Sequence, residues 1–97
     1  MRSGDTLVRS LDFATKEEEY RYELDRNDTH QMLVRVLLEG KPRTPGQQTF
    51  IDKALQLRGE ADAAAVGRDH TAAVKLLEES TRELIRAIRS AGVFIPG

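Results

Sequence analysis

The stretch 69–92, DHTAAVKLLEESTRELIRAIRSAG, carries the clearest structural signal in the chain. Val74, Leu77, Thr81, Leu84, Ile88 and Ala91 follow one another at alternating spacings of three and four, which puts them on one face of an α-helix. Ala73, Leu76 and Ile85 widen that face, as a core-facing bundle helix requires and a narrow coiled-coil seam does not. Asp69 is placed to cap the first turn by accepting from its free amides. Arg86 and Arg89 lie where the helix dipole favours positive charge, and Gly92 can take the left-handed conformation that ends a helix. Glu78 with Arg82 and Glu83 with Arg86 are spaced for ion pairs worth about 0.2–0.5 kcal/mol each.

Working upstream, a second helix is expected over 49–66 with Thr49 as its cap. Phe50, Ile51, Ala54, Leu55, Leu57, Ala61, Ala64 and Ala65 supply its apolar contacts. Its alanine-rich second half lets a neighbour approach closely, and the short Gly67-Arg68 connection predicts an antiparallel hairpin with 69–92. Gly59 marks either a close crossing or a soft spot. The segment 40–48 holds Pro42, Pro45, Gly40 and Gly46 and is read as a loop.

From 16 to 39, Tyr20, Leu24, Asn27, Gln31, Val34 and Leu38 share a helical face that Leu33, Val36 and Leu37 broaden. This is one helix, or two if Asp28 or Thr29 caps a new start near Asn27. Residues 1–15 are weakly apolar and read as flexible or as one short helix, and 93–97 form an apolar tail. The fold class is therefore all-α: one small bundle of 3–4 helices, built on the C-terminal hairpin of 49–66 and 69–92.

Composition bounds the function. At 97 residues there is room for one core. Apolar residues at 39% and charged residues at 32% predict a folded domain with a thin core. A net charge of −1 gives no whole-molecule field toward nucleic acid or membrane. There is no cysteine for a disulfide, a thiolate or a zinc site. With no signal-like or bilayer-length apolar run, the chain is expected to be cytoplasmic.

The run 63–78, AAAVGRDHTAAVKLLE, resembles the turn of a tetratricopeptide or microtubule-interacting-and-trafficking type helical hairpin. In those families a small-residue helix ends in glycine, and alanine followed by an aliphatic residue opens the next. The likeness spans roughly the last half of the chain, with no second copy, and the tetratricopeptide aromatic and terminal proline positions are not met. It implies a helical face or groove that binds a partner segment and implies no catalysis.

Chemistry-bearing patterns are few. His30 and His70 belong to no metal-ligand spacing, and Asp28-His30 and Asp69-His70 read as caps and first-turn groups. Residues 26–30, RNDTH, resemble the arginine-to-histidine motif of small helical ribonucleases at too short a spacing. Glu17, Glu18, Glu19 and Glu23 suit a solvated acidic first turn; an enzyme would need Glu19, Glu23 and a histidine to converge. No catalytic, cofactor or metal residue is assigned, and the chain is read as a non-enzyme.

Two binding readings follow. The first is a protein–protein interaction module, an adaptor or accessory subunit expected to form a homodimer, acting through Leu33, Leu37, Phe94 and Ile95, because more apolar surface is present than one hairpin covers. The alternative for Phe94 and Ile95, the more usual one for such a tail, is that they fold back on the hairpin and complete its core. The alternative is a small nucleic-acid-associated regulator using Lys41, Arg43, Arg82, Arg86 and Arg89, against which the interleaved Glu78, Glu79 and Glu83 count. No membrane partner is expected.

Overall fold

The computed structural model describes residues 14–92, and these form three α-helices and no strand: α1 (Lys16–Leu38), α2 (Pro45–Val66) and α3 (His70–Arg89). The expected short helix or arm over 1–15 and the tail 93–97, with Phe94 and Ile95, fall almost wholly outside the described residues.

Each start is capped by a side chain. Thr15 accepts from the Glu18 amide at 3.1 Å, and Asp69 from the Ala72 amide at 3.1 Å. At α2 the Thr44 hydroxyl accepts from the Gln47 amide at 3.1 Å while the Gln47 side chain accepts from the Thr44 amide at 3.0 Å, a reciprocal capping box. The helix therefore begins at Pro45, not after Thr49, and the loop shortens to 39–44. Proline suits a first turn, whose amides lack partners in any case. Thr49 lies inside the helix and donates to the Pro45 carbonyl at 2.9 Å.

The ends are less regular. Gly40 takes a φ of 77° after α1, a conformation cheap only for glycine. Between α2 and α3 the residue with positive φ is Arg68, at 64°, while Gly67 is at −80°. The Asp69 amide closes that turn on the Ala64 carbonyl at 2.9 Å, so the glycine falls one position short of where the turn needs it. The last helix ends at Arg89, before the expected 92, and Gly92 has φ 88°. The 16–39 segment is one unbroken helix.

α3 is the middle helix. Val74, Leu77, Leu84 and Ile88 of its stripe are buried, with Ala73, Ile85 and Ala87 beside them. Ala54 and Ala61 of α2 are fully buried, and the Ser80 hydroxyl donates to the Ala54 carbonyl at 2.7 Å, a contact that small residues permit. On the other flank Tyr20 meets His70 with ring centroids 5.5 Å apart, Asn27 bonds Ser80, and Val34 and Leu38 join the cluster of Ile51, Ala54, Leu84, Ala87 and Ile88. The order along both helices is the same, so α1 runs parallel to α3. α1 and α2 both lie on α3, yet no Cα of one comes within 8 Å of the other. The result is a flattened body of 47 × 31 × 17 Å.

Gly59 is exposed, and a Cβ built on it meets nothing within 4 Å. It is a soft spot in α2 and not a close crossing. Among the described residues no helix is long and apolar enough to cross a membrane.

Candidate interaction surface

A polar layer crosses the bundle at mid-height. Asn27 is fully buried on α1. Its amide nitrogen donates to the hydroxyls of Ser80 and Thr81, each at 3.0 Å. Its amide oxygen accepts from Gln31 at 2.8 Å and from Arg58 of α2 at 2.9 Å. A guanidinium can only donate, which fixes the amide's orientation, and every hydrogen-bonding position of the Asn27 side chain is filled. Arg58 also pairs with Asp28 at 2.7 Å and Asp62 at 3.2 Å. Burial pulls its guanidinium pKa down, but the hydrogen bonds and charges of Asp28 and Asp62 outweigh it and leave the pKa above the ordinary arginine value. With Asn27 saturated, the network holds the helices in register.

Beside it, the separation of α1 and α2 leaves an open groove of about 190 Å³. Leu84 of α3 forms the floor, Val34, Ile51 and Leu55 the walls, and Arg35 with Arg43 the rim. Gln31 lines its inner end, next to the Arg58–Asp28 bridge. Leu55 is 50% exposed there. Among the described residues Arg35 has no ion pair, not even with Glu39 one turn on. Among the described residues Arg43 reaches only Gln48, at 3.4 Å.

Leu33 and Leu37 are half-buried and pack against the core cluster. Their neighbours Met32 and Val36, one turn apart on α1, are 47% and 61% exposed, and Tyr22 nearer the start of the helix is 38% exposed. Val66, at 86%, stands alone at the end of α2.

Of the basic residues, Arg86 pairs with Glu83 at 2.6 Å; Arg82 and Arg89 are exposed on α3, and Lys41 and Arg43 lie in or beside the loop. Because α1 and α3 are parallel, all of these share one end of the bundle. That half, residues 29–57 and 80–92, holds seven Lys and Arg against three Asp and Glu, a formal +4; residues 14–28 and 58–79 hold six against eleven, a formal −5. The bundle has a basic and an acidic pole that the net charge conceals.

The acid–base candidates are engaged separately. Glu19 pairs with Lys16 at 2.9 Å, Glu23 is buried beside Arg26 at 3.4 Å, the His30 ring bonds the Arg26 carbonyl at 2.8 Å, and His70 lies on Tyr20. None of them lines the groove, and among the described residues no three His, Asp or Glu cluster as a metal site. The chain matches no protein-family model, no curated protein and no solved structure.

Proposed function

We propose that this chain is a non-catalytic helical protein–protein interaction module, an adaptor or accessory subunit that self-associates through the outer face of α1. The supporting observation is the exposure of Met32 and Val36, one turn apart on that face and flanked by half-buried Leu33 and Leu37. Apolar groups adjoining one another on a surface mark contact sites, whereas scattered ones do not. A closed dimer would use the same patch on both copies. Sedimentation equilibrium tests this directly: wild type is expected to sediment as a dimer and the Met32→Ser/Val36→Ser variant as a folded monomer. A monomeric wild type at all concentrations would remove the self-association.

The basic pole favours a second reading, a nucleic-acid-associated regulator using Lys41, Arg43, Arg82, Arg86 and Arg89. Steep loss of oligonucleotide binding with added salt is its signature. A contact built on Met32 and Val36 would be little affected by salt.

A further inference from the structure

We propose that the groove between α1 and α2 binds an acidic peptide segment of a partner protein, anchored by one large apolar side chain. This rests on the protein-binding reading above but concerns a different surface from the outer face of α1. The floor and walls, Leu84, Val34, Ile51 and Leu55, are aliphatic, and the space of about 190 Å³ is below the range of drug-sized ligand pockets. It suits a single bulky side chain and is too small for a folded element.

The rim selects what flanks that side chain. Arg35 of α1 and Arg43 of the loop before α2 both line the opening, without an acidic partner among the described residues. They lie on the pole with a formal charge of +4. Carboxylates on either side of the anchor would complete both, and the pole's field would speed encounter. The aliphatic floor disfavours a phosphate backbone, which needs no apolar contact, and among the described residues no aromatic ring lines the groove for base stacking. A second copy's acidic pole would make a head-to-tail contact that does not close on itself, so it is the weaker occupant.

The test is a titration of the isotope-labelled full chain by amide and methyl NMR. The probe is a short synthetic peptide with one central phenylalanine between aspartates and glutamates. Saturable shifts at Val34, Ile51, Leu55 and Leu84 are expected. Replacing the probe's phenylalanine by glycine, or making the surface change Leu55→Ala, should weaken binding by about tenfold, the effect of losing one partly buried apolar contact. Arg35→Glu with Arg43→Glu should weaken it further and flatten its salt dependence. Three results would overturn the proposal: no shifts in the groove; shifts spread over Lys41, Arg82, Arg86 and Arg89 irrespective of the anchor, as a polyanion or nucleic acid gives; or groove shifts that track protein concentration without peptide, which assign the site to a second copy. Sedimentation of the Met32→Ser/Val36→Ser variant is independent of all three, so failure here is distinguishable from failure of the α1 reading.

Discussion

The side-chain oxygen of Asn27, buried in α1, accepts a hydrogen bond from the guanidinium of Arg58 in α2 at 2.9 Å, although the two helices nowhere bring their Cα atoms within 8 Å. A long side chain spans the gap that backbone packing leaves open. The same asparagine holds Ser80 and Thr81 of α3, so one residue ties the three helices together.

Asn27→Ala should lower stability by about 2–3 kcal/mol, because two buried hydroxyls lose a donor, and the Tm should fall by roughly 10–20 °C. Urea titration followed by circular dichroism measures it. Making the α1–α3 part of the layer apolar, Asn27→Leu with Ser80→Ala and Thr81→Val, should be less damaging than Asn27→Leu alone, since it removes the two hydroxyls together with the amide that donates to them.

Arg58→Met should cost about 1–2 kcal/mol through the buried amide oxygen it deprives of a donor, and Asp28→Asn under about 1 kcal/mol, because that carboxylate is exposed. A cation whose pKa rises on folding contributes fully below its unfolded value, and that contribution is lost only as pH climbs through the folded one. Both values lie in the strongly alkaline range, so titration of Arg58 itself leaves the Arg58→Met difference constant from about pH 6 to 9. Denaturation midpoints across that range check the sign.

Glycine is misplaced twice, and both corrections should stabilise. Arg68→Gly relieves a positive φ of 64° and should add about 1 kcal/mol. Gly59→Ala fills open space on an exposed helix and should add up to about 1 kcal/mol. Each should raise the urea midpoint with the slope unchanged.

Leu77→Ala removes a side chain with no exposure and should cost about 2–5 kcal/mol. Val36→Ala, at a position 61% exposed, should leave monomer stability within about 0.5 kcal/mol. Thermal unfolding of the two side by side separates core from surface.

The sequence carries most of the architecture, because stripes and caps are local signals. The α3 face is legible from its three-and-four spacing, and Asp69 is legible as a cap. The start of α2 is not: Thr44 and Thr49 are both acceptable caps, and only Gln47, three residues after Thr44, marks the capping box. That signal was available in the residues themselves. The choice between one helix over 16–39 and two, with Asp28 or Thr29 capping the second, turns on Asn27, which is held in mid-helix by Ser80 and Thr81 from more than fifty residues away. The groove was illegible for the same reason, since Arg35, Arg43 and Leu55 are distant in sequence and are joined only by the choice of α3 as the central helix. Leu33 and Leu37 show the limit of hydropathy: the residues beside them, Met32 and Val36, carry the exposure.

Because α1 and α2 each rest on α3, α1 can detach while the α2–α3 pair keeps its own contacts. Opening need not be all-or-none. Native-state amide exchange should then resolve two tiers, with α1 exchanging through a low-energy partial opening and α3 only through global unfolding. Asn27 and Arg58 are the latch between those tiers: weakening either widens the interval between them, and it is α1, not the whole chain, that comes and goes.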